Sequence, residues 1–272
     1  MSLFVGVPRE PVFSPGRVGD DRAILEQVAR QLRARGHTAA LLDPDESAWA
    51  EPPANALVFA MCQGARALAR LRAWQDRGLR IVNSPDGVRN CQRHHTVQLL
   101  RAAGIAFPES LVLDTAAAPD LPGWVQDGGA WLKRGDFHAT RTEDVVRLHS
   151  AAELRDGMRD FRQRGIRTAV LQRHVAGRVL KFYAVRGGFF HCVPPADGFV
   201  VGAPLERALA ALAHRAAGVL GVEVYGGDCV CEGTGRLTLI DLNDWPSYAP
   251  CRTEGAEAIA AYLDAQAVAI RT

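Results

Sequence analysis

The chain has 272 residues, 48% hydrophobic and 23% charged, enough to bury a sizeable core as one large or two modest domains. A formal net charge of +2 and an isoelectric point near 8.3 are too mild for general nucleic-acid binding. The longest apolar run, Ala208 to Val224, is interrupted by His214, Arg215 and Glu223, which argues against a membrane role.

The chain opens Met1-Ser-Leu-Phe-Val-Gly-Val, with no basic lead, apolar core or small-residue cleavage site, so the expectation is a cytoplasmic protein. Its six cysteines, Cys62, Cys91, Cys192, Cys229, Cys231 and Cys251, form no CxxC pair and no Cys/His metal spacing. They are expected as packed thiols in a reducing compartment.

The predicted elements begin with a βαβ alternation: strand Leu3 to Val7, helix Asp20 to Arg35, strands Ala39 to Leu42 and Ala56 to Met61, helix Ala65 to Arg77, strand Arg80 to Asn83. Gly36 and Gly78 stop the two helices, and the short connections favour a parallel sheet with its ligand crevice at the strand carboxyl ends. The loop Pro8 to Gly19 lies at such an end and is long for a plain βα connection. It carries Arg9, Glu10, Ser14 and Arg17. Ser84-Pro85-Asp86 starts a helix that runs to Ala103, with serine as N-cap and proline in the first turn. A strand at Ser110 to Leu113 leads into a Pro/Ala/Gly/Asp-rich stretch, Asp114 to Gly129, which marks the domain junction. Beyond it come strands Trp131 to Lys133 and Asp144 to Leu148, helix Ala151 to Arg164 and strand Thr168 to Gln172. The last third holds strands Val179 to Arg186 and Gly188 to His191, helix Leu205 to Leu220, strands Gly227 to Glu232 and Leu237 to Leu242, and helix Glu254 to Ala269.

Thirty of the 32 basic residues are arginine; only Lys133 and Lys181 are lysine, and both fall in strand-like runs. A compact ammonium and a planar guanidinium substitute poorly for one another at a tight phosphate site, so the retained lysines point to such a site. On the C-terminal hairpin, Asp241 and Asn243 alternate onto one face of a strand and Asp228 can approach from its partner. Two carboxylates and an amide offer the hard oxygen donors that magnesium takes beside phosphates. Unpaired among Val230, Ile240 and Leu242, the acids would be expensive to bury.

Taken in order, these segments resemble the ATP-grasp superfamily. Asn83 to Arg89 and Gln98 to Pro108 resemble its entry helix and strand, and Trp131-Leu132-Lys133 resembles its first phosphate-lysine strand. Leu171 to Val175 resembles the adenine hinge, Gly177 to Lys181 the second phosphate-binding strand, and Asp228, Asp241 and Asn243 the metal ligands. The resemblance implies an α/β chain with an N-terminal parallel βαβ domain (1–83), a linking helix and strand (84–127), a small lid subdomain (128–175) and a C-terminal catalytic subdomain built on a mixed sheet (176–272). It implies ATP and Mg2+ or Mn2+ as cofactors. Lys133 and Lys181 would hold the phosphates, and Gln172, Arg173, His174 and Val175 the adenine. Arg93 stands where the family's entry helix often has lysine and is a candidate phosphate contact. The chain departs from the family after Lys133: the usual glycine-rich loop is replaced by Arg134-Gly-Asp-Phe-His138-Ala-Thr-Arg141, a short basic lid in which Arg134, His138 or Arg141 would supply donors.

Two enzyme classes use this machinery. Similarity to the ribosomal-protein glutamate ligase and glutathione synthetase-like members implies a carboxylate–amine ligase acting through an acyl phosphate. The ending Asp241-Leu-Asn243-Asp244-Trp-Pro-Ser-Tyr248 is also similar to inositol trisphosphate kinases, which transfer phosphate to a hydroxyl. A non-catalytic nucleotide sensor is a third possibility, disfavoured because the lysine and metal positions are filled. Lys181, His138 and Asp244 are the candidate catalytic residues, Asp244 as base; Arg9, Arg17 and Arg89 are the candidate contacts to a small-molecule or peptide acceptor. A homodimer is compatible with the resemblance; nucleic acid and membrane are not expected as partners.

Overall fold

The computed structural model describes residues 1–43, 49–117 and 122–269. Strand β1 (Leu3–Val7) leads through a long loop to α1 (Val18–Ala34) and β2 (Thr38–Leu41). Strand β3 (Ala56–Ala60), α2 (Ala65–Asp76) and β4 (Arg80–Val82) complete a four-stranded sheet in the order β2-β1-β3-β4, every pairing parallel. Its strands are near-continuous apolar runs because both faces are covered. Phe4, Leu57 and Phe59 pack on one side with α1, while Val58, Ile81 and Trp74 pack on the other.

The expected helix from Ser84 to Ala103 is two helices, α3 (Pro85–Asn90) and α4 (Arg93–Ala102). Ser84 caps the first, its Oγ accepting from the Gly87 amide at 3.1 Å. A Cβ on Gly87 would lie 2.5 Å from the Gly221 carbonyl oxygen, so glycine permits that approach. In a continuous helix the His94 amide would bond the Asn90 carbonyl. Here Thr96 Oγ1 donates to that carbonyl at 2.9 Å and the His94 amide donates to the Gly135 carbonyl at 3.2 Å. The break places Arg93 at the first position of α4, facing the cleft.

Strand β5 (Ser110–Asp114) ends near the Pro/Ala/Gly/Asp-rich stretch, of which residues 118–121 lie outside the described residues. That stretch ends in a short helix, α5 (Trp124–Gly128). Strands β6 (Ala130–Arg134) and β7 (Val145–Leu148), helix α6 (Ala151–Gln163) and β8 (Thr168–Arg173) follow. With β5 they make an antiparallel sheet, β5-β8-β6-β7, which packs Leu132, Ala169 and Leu171 against Leu154, Met158 and Phe161 of α6.

The third sheet contains β9 (Arg178–Val185), β10 (Phe189–Val193), β11 (Val224–Cys231) and β12 (Leu237–Asp244) in the order β10-β9-β11-β12. Where a mixed sheet is expected, every pairing is antiparallel, because β9–β10 and β11–β12 are hairpins and β9 runs against β11. Helix α7 (Ala203–Leu220) covers one face and α8 (Arg252–Ala269) packs on the other together with α1. The core between α1, α8 and the two sheets is continuous: Phe4 and Phe59 share it with Val185, Val224, Trp245, Tyr248 and Ile259. Asn83 reinforces that junction. Its buried amide donates to the Val224 carbonyl at 2.7 Å and accepts from the amides of Glu223 and Val224 at 2.8 and 3.0 Å.

Candidate active site

Register gathers the charged groups of the third sheet. Asp228 on β11 is paired with Lys181 of β9 on one side and with Asp241 of β12 on the other, so three strands place three charges in one row. Two residues along, Asn243 is opposite Gly226, which is opposite Tyr183. Side chains alternate across a strand, so this second row lies on the same face as the first. Lys181 Nζ is 2.8 Å from Asp228 Oδ1. Its partial burial would lower its pKa, but Asp228 outweighs that and raises it.

Lys133 reaches the same face from the second sheet. A bulge between Asp228 and Cys229 leaves Ile240 without a register partner on β11, and the buried Lys133 ammonium donates to the Ile240 carbonyl at 3.2 Å. Burial, together with Arg93, lowers this lysine to about 8 against the opposing pull of Asp241. Arg93 Nη2 holds Asp241 Oδ2 at 2.9 Å, and its Nη1 donates to the Phe137 carbonyl at 3.2 Å. Burial alone would raise the Asp241 carboxyl, but Arg93 and Lys133 hold it below the usual range. Each acid thus gives one oxygen to a cation, Asp228 its Oδ1 and Asp241 its Oδ2. With their second oxygens and the Asn243 amide oxygen, the two acids offer donors of the hard-oxygen chemistry that magnesium takes.

Asp244 is buried at the end of β12. Gln63 Nε2 donates to its Oδ1 at 2.8 Å, while Oδ2 has no hydrogen-bond partner. Burial pushes this carboxyl up to about 6, opposed by Arg9 and Gln63. Glu10 fixes Gln63 by accepting from the backbone amides of Gln63 and Gly64, each at 3.0 Å, at the start of α2. Sequence reasoning missed Gln63, although the strand-end rule that singled out the loop after β1 applies equally to Met61-Cys-Gln-Gly64 after β3.

The remaining expected site residues divide. Arg9 is half-buried and engaged: Nη1 meets Asp21 at 3.1 Å, Nη2 donates to the Trp245 and Asp244 carbonyls at 2.8 and 3.3 Å, and Nε to the Met61 carbonyl at 3.2 Å. Those bonds tie the first loop to the end of β12. His138 bonds the Phe13 carbonyl through Nε2 at 2.8 Å, and burial, helped by Arg9, drives it down to about 3. It is therefore a neutral residue and not part of a cationic lid. Arg134 is held by Asp136 at 2.7 Å and Asp144 at 3.2 Å, while the Thr140 and Arg141 amides donate to the same Asp144. Of the three basic lid residues, Arg141 is the exposed one that lines the cleft. Arg17 also lines it, whereas Arg89 is exposed on α3 and is not among the residues that do.

At the hinge, Gln172 is buried opposite Ser110 and Trp131. The Arg173 amide donates to the Glu109 carbonyl at 2.8 Å and the His174 amide to the Gly129 carbonyl at 3.2 Å. Trp131 Nε1 donates to His174 Nδ1 at 3.1 Å. Two hinge amides are thus committed within the fold.

No family model and no curated protein matches the sequence. Solved structures do match the fold along its whole length. D-alanine–D-alanine ligase from Bacillus anthracis, complexed with ATP, superposes with a TM-score of 0.75 at 10% identity, covering 100% of this chain and 99% of its own. An ATP-grasp protein with a RimK domain from Sphaerobacter thermophilus superposes at 0.66 with 21% identity over 96% of this chain and 99% of its own.

The chain has the ATP-grasp fold.

The ATP-grasp ligase PsnB, complexed with its precursor peptide and AMPPNP, superposes at 0.64 with 19% identity over 98% and 97% of the two chains. In this chain of ATP-grasp fold the antiparallel sheets bearing Lys133 and Lys181 face one another across the cleft, which the N-terminal loop also lines. Among the described residues, no helix is long and apolar enough to cross a membrane.

Proposed function

We propose that the chain is an ATP- and magnesium-dependent carboxylate–amine ligase that forms an acyl phosphate and releases ADP and phosphate. The observation that carries this reading is the row Lys181, Asp228, Asp241, with Lys133 reaching over it from the facing sheet. A cation and two acids stand side by side there with a second cation above them, an arrangement suited to a triphosphate and its metal. Ligases among the structural neighbours support the reading.

In this mechanism Lys133 holds the phosphates nearer the ribose and Lys181 faces the γ-phosphate, as point charges that offset the charge developing during transfer. Asp228, Asp241 and Asn243 would hold the magnesium, which would supply the Lewis-acid charge that offsets the negative charge of the phosphates during transfer. Arg93 keeps Asp241 ionised and oriented. The hinge Gln172 to Val175 receives adenine. An oxygen of the acceptor carboxylate attacks the γ-phosphorus as the bond to the β-phosphate oxygen breaks, and ADP leaves. The amine then attacks the acyl carbon, phosphate leaves, and the amine's proton passes to a base; Asp244, with one unpartnered oxygen beside Asn243, is placed for that role. The proposed units remain residues 1–83, 84–127, 128–175 and 176–272, acting in the cytoplasm, with a homodimer compatible.

A second reading, phosphoryl transfer to a hydroxyl, draws on the same Asp244, since a hydroxyl also needs a base. Hydroxylamine separates the two. With ATP, magnesium and a carboxylate panel but no amine, a ligase yields a hydroxamate with stoichiometric ADP and phosphate. Phosphate retained on a hydroxyl compound overturns the ligase in favour of the kinase, and nucleotide binding without turnover over carboxylate, amine and polyol panels overturns both.

A further inference from the structure

A cavity of about 630 Å3 opens beside the Asp241 and Asn243 end of the cleft, between the N-terminal loop and the loop after β6. That volume is typical of small-molecule sites and leaves room beyond a single reacting carboxylate. Its charges do not cancel. Arg9 is neutralised by Asp21, Arg93 by Asp241, and Lys181 by Asp228, and the buried Asp244 is a further acid in the lining. Arg17, just ahead of α1, and Arg141, in the loop after β6, also line it, and among the described residues neither makes an ion pair. His138 adds no charge, and the hydroxyls of Tyr183, Thr142 and Ser247 complete a polar wall.

Two guanidiniums without acids, contributed by two different loops to one concavity, form a focused positive field. Their forked donors suit a carboxylate or phosphate oxygen pair. The apolar surface beside them, from Phe13 and Pro246, suits a short carbon chain.

We propose that the acceptor is a carboxylic acid bearing a second anionic group, which Arg17 and Arg141 bind while the reacting carboxylate lies at Asp241 and Asn243. This rests on the ligase reading for the identity of the reacting end, but the second-anion site is tested by binding alone. Glutarate and adipate are titrated by calorimetry against valerate and hexanoate, with 4-phosphooxybutyrate as the phosphate arm, all in the presence of magnesium and AMPPNP. At least one dianion is expected to bind roughly tenfold or more tightly than its matched monoanion, a difference of about 1.4 kcal/mol. Arg17→Gln and Arg141→Gln should each reduce that ratio roughly fivefold or more, with Arg17→Lys keeping part of it. Because the ratio is taken within each variant, a partly unfolded preparation lowers both affinities alike. The inference is overturned if no dianion exceeds its monoanion by more than about twofold, or if the preference survives in both glutamine variants. Retained phosphate on a hydroxyl, by contrast, would overturn the ligase reading and leave the binding result standing.

Discussion

Replacing Lys133 with methionine should stabilise the protein while removing its hold on ATP. Lys133 is buried, and its pKa falls from 10.5 to about 8 chiefly by desolvation. A gap of about 2.5 units at about 1.36 kcal/mol each means that the charged lysine costs the folded state roughly 3 kcal/mol. Losing the bond to the Ile240 carbonyl offsets about 1 kcal/mol. Arg93 still pairs with Asp241, so no acid is orphaned. The net expectation is about 2 kcal/mol in favour of Lys133→Met below pH 8. Because the folded pKa is the lower one, the penalty is full below about 8 and vanishes as pH rises to the unfolded value of 10.5. At pH 9.5 the difference should be under about 1 kcal/mol. Urea unfolding of both proteins without nucleotide, at pH 7 and pH 9.5, measures this, and AMPPNP titration should show the variant's lost affinity. A variant less stable than wild type at pH 7, or a difference that does not shrink with pH, refutes the reasoning.

Lys181→Ala should behave in the opposite way: its pair with Asp228 leaves the lysine 59% exposed, so stability changes by less than about 1 kcal/mol. ADP formation should nevertheless fall by roughly a hundredfold or more, read by steady-state kinetics on variant protein with an unchanged melting curve. Asp144→Asn should destabilise by about 3 kcal/mol or more, because the fully buried carboxylate accepts from Arg134, Arg164 and Thr140. Burial opposes ionisation there, but the Thr140 amide and the two arginines hold the carboxyl well below its ordinary 3.8. Its contribution is therefore present above about pH 4 and lost as pH falls further, so wild type should lose more stability than Asp144→Asn between pH 5 and pH 2.5 in denaturant melts.

Most elements were legible because their signals are local. Apolar periodicity located the strands carrying Lys133 and Lys181, and alternation on a hairpin foretold that Asp228 and Asp241 meet. Partners distant in sequence were not legible. Nothing near Asn90 or His94 says that Thr96 and Gly135 will take their backbone bonds, so the break that delivers Arg93 to Asp241 appears only in three dimensions. The lid illustrates the same limit: Arg134 and His138 read as free donors, yet Asp144 and Phe13 hold them inside the fold. Gln63 is 181 residues from the Asp244 it contacts.

The uninterrupted core beneath α1 and α8 makes the parallel sheet and the sheet carrying Asp228 and Asp241 one anvil, clasped by Asn83, whereas the sheet bearing Lys133 keeps a separate core with α6. Arg17 belongs to the anvil and Arg141 to the hammer. An acceptor gripped by both would tie the two bodies together, so filling its site would also draw the phosphate lysines toward one another.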